Sequence, residues 1–121
     1  MSNQELKKPE VSIIIPTYNE SQNIINLLKS IRDVLPKNLP SQTIIVDDNS
    51  PDGTGKIVEE YFHDIKKIAD HTIDVIHRKT KDGLSSAILH GVKHAKGETI
   101  VVMDGDFSHP PQIIPRMLED R

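Results

Sequence analysis

Four short runs of β-branched and aliphatic residues, separated by stretches of helical period, limit what this chain can fold into. They are Val11–Ile15, Thr43–Val46, Ile73–His77 and Thr99–Met103. Runs apolar at successive rather than alternate positions suit strands buried on both faces of a parallel sheet, and the third, more polar run suits a place nearer an edge. Between them, apolar residues recur at helical spacing: Ile24, Leu27, Leu28, Ile31 and Leu35; then Ile57, Val58, Tyr61, Phe62, Ile65 and Ile68; then Leu84, Ala87, Ile88, Val92 and Ala95. Pro110-Pro111 opens a last helix carrying Ile113, Ile114, Met117 and Leu118, which Pro115 should bend or give a 3₁₀ entry. The order βαβαβαβα predicts an α/β fold with a doubly wound, mainly parallel sheet and right-handed crossovers. With strand order 3-2-1-4, the switch point falls between the first and fourth strands, and ligand chemistry collects there at the carboxyl ends.

Punctuation residues refine the outline. Residues 1–10 are polar and lack an apolar period, so they read as a flexible tail before a single unit over 11–121. Pro16 is expected to stop the first ladder, and Thr17-Tyr18-Asn19-Glu20 to form the loop after it. Pro51-Asp52-Gly53-Thr54 is turn chemistry with Thr54 as N-cap, and Gly97 suits the C′ position after the third helix.

Bulk properties exclude several classes. The chain has 121 residues, enough for one domain with a modest core. A net charge of −3 leaves no basic excess to neutralise a nucleic-acid backbone, so nucleic acid is not an expected partner. With no cysteine, thiol catalysis and Cys-based zinc sites are out. No apolar run approaches the ~20 residues of a membrane span, and residues 1–10 lack a signal-like apolar region, so the chain itself reads as soluble and cytoplasmic.

Three polar strand ends carry the candidate chemistry. Asp104-Gly105-Asp106 closes the fourth strand, and hard divalent cations such as Mg²⁺ or Mn²⁺ take carboxylate oxygens presented at that spacing. Alone, the pair also fits a loop or a helix cap. Asp47-Asp48 closes the second strand, where a carboxylate serves equally as a turn device or as an acceptor for a base or a ribose hydroxyl. Tyr18 and Glu20 follow the first strand, where an aromatic face stacks on a base or an ordinary loop meets solvent. The predicted topology brings all three ends into one crevice. Other motifs fail: Gly53-Thr54-Gly55-Lys56 lacks the Ser/Thr and first glycine of a phosphate loop, and no Gly-x-Gly-x-x-Gly follows the first strand. His90 and His94 enclose no glutamate and read as a solvated face, as do Arg78, Lys79 and Lys81 unless they hold a phosphate.

Taken together, VSIIIPTYNE, IIVDDNSPDGT, GLSSAILHGVKHAKG and IVVMDGDFSHPP resemble glycosyltransferase family 2, with its GT-A fold, and within it the dolichyl-phosphate and polyprenyl-phosphate mannose synthases. The resemblance runs from Val11 onward. It implies that Pro16, Tyr18 and Glu20 line a nucleotide site, that Val46 and Asp48 contact the base, and that Asp104, Gly105 and Asp106 form the metal and diphosphate motif, with Asp104 and Asp106 as metal ligands and catalytic carboxylates. Where Gly105 stands such synthases usually carry Ala, and where Ser108 stands some relatives carry a further ligand. The implied donor is a nucleotide sugar, GDP-mannose first, and the implied acceptor a polyprenyl phosphate at the cytoplasmic face of a membrane.

Family members continue well past Asp-x-Asp, so the chain reads as the nucleotide-binding half of such an enzyme: a truncated form, the product of a split or interrupted gene, or one subunit whose partner supplies the remainder, with an open edge on the fourth strand that favours self-association. Competing readings are a family 2 enzyme using a UDP-sugar, an inactive nucleotide-binding fragment, a haloacid dehalogenase-like phosphatase and a receiver-type domain. The last two place their acidic motif on the first strand, unlike this chain.

Overall fold

The computed structural model describes residues 8–62, 67–68, 71–79, 83–105 and 110–119. Chain order is β1 (Val11–Thr17), α1 (Ile24–Val34), β2 (Ser41–Asp47), α2 (Thr54–Tyr61), β3 (Lys67–Ile68), β4 (His71–His77), α3 (Leu84–His94), β5 (Thr99–Val102) and α4 (Ile113–Glu119). The sheet order is β3-β4-β2-β1-β5. The four long strands are parallel, in the expected 3-2-1-4 order. The short β3, which the sequence pattern does not announce, adds antiparallel to β4.

Side-chain alternation divides the core between the two faces of the sheet. Ile13, Ile15, Ile45 and Val101 pack under α1, α2 and α4 against Leu27, Ile31, Val58 and Ile114. On the other face Ile14, Ile44 and Val46 pack with Ala87 of α3. All seven residues of β2 are buried, as a central strand covered on both faces requires.

Three local expectations are corrected. Pro16 does not end β1, because Pro16 pairs with Val46 and Thr17 with Asp47. Thr17 O accepts the Asp48 N–H on the β2 side, while Ile14 O accepts the Met103 N–H on the β5 side. By alternation the nitrogen of Pro16 points to the β5 side, beyond the Ile14–Val102 end of that ladder, so no sheet bond is lost. The helical stripe assigned to Ile57 through Ile68 is too long: α2 stops at Tyr61, Ile68 pairs with His71 in β3, and Ile65 lies outside the described residues. Gly97 is not a left-handed C′ residue, since α3 leaves through an extended Ala95; glycine is needed because a Cβ would stand 2.6 Å from the Val11 carbonyl carbon. The 3₁₀ entry expected of the last helix is present: the Ile113 N–H donates to Pro110 O and the Ile114 N–H to Pro111 O, each three residues back, and Pro115 falls at the third residue of α4, where its missing N–H costs no helical bond.

Candidate functional site

Two loops at the carboxyl end of the sheet are hydrogen-bonded into one unit. Asn19 and Asn49 each adopt a left-handed backbone, φ 57° and 54°, a conformation Asn accepts better than most residues. They turn the loops after β1 and β2 toward each other. The Asn19 N–H donates to Ser50 Oγ at 3.0 Å, the Ser21 N–H to Asp52 Oδ2 at 3.0 Å and the Glu20 N–H to Thr54 Oγ1 at 2.9 Å. Thr54 is therefore no N-cap: Gly53 holds that position with φ 75°, and the Thr54 side chain joins the two loops while its N–H binds Asp52 Oδ1 at 3.0 Å.

The two adjacent aspartates take separate tasks. Asp47 is the turn device: its Oδ1 accepts the Thr17 hydroxyl at 2.7 Å and the Ser50 hydroxyl at 2.6 Å, and its Oδ2 the Ser50 N–H at 3.0 Å. Asp48 is gripped by Arg78, with Nε 2.6 Å from Oδ1 and Nη2 3.4 Å from Oδ2. Both side chains are more than nine-tenths buried, at 7% and 8% exposure, so Arg78 is not the solvated cation its loop suggested. Its Nη1 donates to Ser86 Oγ of α3 at 2.9 Å, and its N–H to Asp47 O at 2.8 Å. Only the polar ends of β2 and β4 hinted at this pairing, because a parallel register sets Asp47 beside His77 and so Asp48 beside Arg78.

Met103 is buried and Asp104 half-buried where β5 opens into its loop. Gly105 is buried, and a Cβ built on it would meet Thr17 Cγ2 and Glu20 Cγ, each at 3.2 Å. The end of β5 thus reaches the end of β1, and Glu20, Asp48 and Asp104 lie at one end of the sheet. Tyr18 is exposed and Pro16 half-buried beside it. Val46 is fully buried under α3, so in this conformation it shapes the strand rather than offering a surface to a base. Asp106 and Ser108 lie outside the described residues, as do Thr80, Lys81 and Asp82.

An open cleft of about 410 Å³ adjoins the paired loops on the α2 side, lined by Asn49, Gly55, Lys56, Glu59, His77 and Arg78 among others. Its charges are mixed: His77 Nε2 stands 2.8 Å from Glu59 Oε1. His90 and His94 stack at 5.2 Å on α3, with His94 Nδ1 near His90 O. Among the described residues, no group of three or more His, Asp or Glu side chains is placed to hold a metal ion. A cation shared with a diphosphate needs only one or two carboxylates, and the hard oxygens of Asp104 suit Mg²⁺ or Mn²⁺ in that role. Also among the described residues, no helix is long and apolar enough to cross a membrane.

Comparison with known proteins agrees with this geometry. The chain is 41% identical over 110 residues to a dolichol-phosphate mannosyltransferase of Pyrococcus furiosus, covering 91% of this chain and 29% of that protein. It is also 41% identical over 112 residues to an undecaprenyl-phosphate mannosyltransferase of Micrococcus luteus, covering 90% of this chain and 43% of that one. It therefore spans less than half the length of these curated relatives. Among solved structures, the mannosyltransferase PcManGT of Pyrobaculum calidifontis, in complex with GDP-Man and Mn²⁺, superposes with TM-score 0.71 at 29% identity, over 83% of this chain and 28% of that one. S. aureus TarS 1-349 in complex with UDP-GlcNAc superposes with TM-score 0.73 at 26% identity, over 92% of this chain and 30% of that one. The family model described as glycosyl transferase family 2 matches residues 12–120, and with the strand order and the converging strand ends it establishes that this chain belongs to glycosyltransferase family 2, in the GT-A fold.

Proposed function

We propose that this chain is the nucleotide-sugar half of an inverting, metal-dependent glycosyltransferase that moves mannose from GDP-mannose to a polyprenyl or dolichyl phosphate at the cytoplasmic face of a membrane. The observation that carries the reading is the approach of Gly105 to Thr17 and Glu20, which brings the Asp104 loop to the end of β1 beside Asp48. In it, Pro16, Tyr18 and Glu20 line the nucleotide, Tyr18 offering its ring to the base. Asp48 accepts an N–H from the base edge, and Gly105 lets the backbone come close to the diphosphate. Asp104 and Asp106 would hold Mg²⁺ or Mn²⁺, which when bound supplies positive charge to the departing diphosphate. The acceptor's phosphate oxygen, already ionised near neutral pH, attacks the anomeric carbon from the face opposite the nucleoside diphosphate, so the configuration inverts and no general base is required. The acceptor side lies outside the region matched here, since the curated relatives are at least twice as long as that region.

The test is GDP titration by calorimetry with Mn²⁺ present. Asp104→Ala and Asp106→Ala, or excess chelator, should each weaken GDP binding at least tenfold, about 1.4 kcal/mol. Unchanged GDP affinity in chelator would defeat the metal role. The likeness to the UDP-GlcNAc complex supports a second reading with a UDP-sugar donor. Comparing GDP-mannose with UDP-sugars separates the two, and donor binding without transfer would mark a binding fragment.

A further inference from the structure

Helix α3 carries His90 and His94 one turn apart, and neither has a part in the donor site. Their rings stand 5.2 Å apart between centroids and are tilted by 40°. Residues four apart lie one above the other on a helix face, the spacing at which paired histidines hold one metal ion. The separation suits that use: an ion about 2.0–2.1 Å from one nitrogen of each ring, at the tetrahedral angle, sets the centroids roughly 5 Å apart. The glutamate that His90 and His94 do not enclose is the general base of metalloproteases rather than a ligand, so its absence bears on hydrolysis and not on metal binding.

His94 is already prepared as a ligand. It is exposed, His90 is half-buried, and His94 Nδ1 stands 3.1 Å from the His90 carbonyl oxygen. A carbonyl only accepts, so Nδ1 carries the proton and the lone pair of the neutral ring sits on Nε2. Metal-bound histidines donate their other ring N–H in this way, which fixes both the tautomer and the ring. The backbone beneath is held too: His94 O accepts from the buried Gln42 Nε2 at 3.4 Å, and Gln42 Oε1 accepts the Lys96 N–H at 3.0 Å. Gln42 Nε2 also donates to Asp74 Oδ2 at 3.1 Å, so a carboxylate stands near the turn and favours a cation there. Lys93 shares the turn, but its exposed, flexible stem carries the ammonium into solvent.

We infer that His90 and His94 form a binding site for a borderline divalent transition ion, Zn²⁺ or Cu²⁺, clipped across the last turn of α3. Imidazole nitrogen suits these ions, whereas Mg²⁺ and Mn²⁺ favour carboxylate oxygens, so the site differs in kind from the one proposed at Asp104. It also differs in place: His94 lies by Gln42 at the start of β2, and Asp104 follows the end of β5. It does not depend on the donor-site reading. Among the described residues no group of three His, Asp or Glu side chains is placed for a metal, so the two imidazoles supply half of a tetrahedral set and water the remainder. The turn spanned contains Gly91, the residue type with most conformational freedom to lose, kept because a Cβ would stand 2.6 Å from Ile14 Cγ2. An ion tying the two ends of that turn therefore stabilises the fold.

The experiment titrates Zn²⁺, Cu²⁺ and Mn²⁺ separately into the wild-type chain, His90→Gln and His94→Gln by calorimetry, with melting temperatures taken with and without Zn²⁺. The wild type should bind both Zn²⁺ and Cu²⁺, Cu²⁺ more tightly. Each variant should lose at least tenfold in affinity for both ions, with Mn²⁺ binding unchanged. Zn²⁺ should raise the melting temperature of the wild type and leave that of the variants where it was. If a variant is already unstable without metal, ¹H–¹⁵N spectra of the wild type decide: Zn²⁺ should shift the His90 and His94 ring resonances and leave His94 Nδ1 protonated. Unchanged Zn²⁺ and Cu²⁺ affinity in both variants overturns the site, as does coordination through His94 Nδ1, or a wild type that binds neither ion at about 1 mM. Loss of Mn²⁺ together with Zn²⁺ would put both ions at one oxygen site and overturns it as well. Failure on these counts leaves the donor-site reading standing, and failure to bind GDP leaves this site standing.

Discussion

The Asp52 side chain stands in the open, yet it accepts the N–H groups of Ser21 and Thr54. Burial pushes its carboxyl up slightly, but hydrogen bonds from Thr54 and Ser21 outweigh this and hold it below its ordinary 3.8. A carboxyl whose native value is lowered stabilises the fold above its unfolded value and loses that contribution as pH falls through the native one. Asp52→Asn should therefore be less stable than wild type at neutral pH, and the difference should shrink in thermal melts as pH falls from the ordinary carboxyl range through the lowered native value. At this scale the sequence told which residues matter but not their partners. Asp47 and Asp48 are chemically alike and adjacent, and only the strand register separates the turn former from the residue that meets Arg78. Arg78 looked like a solvated cation because the buried carboxylate it meets lies 30 residues away.

Helix α3 approaches the sheet through Ala87 and Gly91, and its exit is fixed by Gly97. A Cβ at Gly91 would stand 2.6 Å from Ile14 Cγ2, and one at Gly97 2.6 Å from the Val11 carbonyl carbon and 2.7 Å from the Ser12 nitrogen. An isoleucine methyl swings aside more readily than a paired strand backbone. Gly91→Ala should cost about 1–3 kcal/mol and Gly97→Ala about 3 kcal/mol or more, measured by denaturant unfolding. The long elements were legible because their apolar periods are strong: α1 begins at Ile24 and α3 at Leu84, where the pattern put them. Errors gathered where a local rule met a tertiary circumstance. Pro16 usually ends a ladder, but its nitrogen faces a side where β5 has already left. Ile68 kept helical phase with α2, but it lies in the two-residue β3, too short to show an alternation.

The sheet as a whole is asymmetric. Helix α3 packs over β1 and β2, so Ile100 and Val102 on the same face of β5 remain 41% and 38% exposed. Among the described residues no strand pairs the outer edge of β5. An apolar strand with an unpaired edge invites association. The chain should self-associate with rising concentration, and Ile100→Lys should shift it toward monomer in sedimentation velocity. A wild type that stays monomeric at high concentration would overturn this. That the ends of β1, β2 and β5 lie together was foreseeable from strand order alone, whereas the close approach of Gly105 to Glu20 across the sheet was not. Strand β1 also imposes an order in time. Its β2 partner lies 30 residues on, but the Ser12 hydroxyl waits for the N–H of Gly97, 85 residues downstream. A chain leaving the ribosome N-terminus first holds one edge of β1 bare until Thr99–Val102 has emerged, so every element from β1 through β5 must be made before this sheet can close.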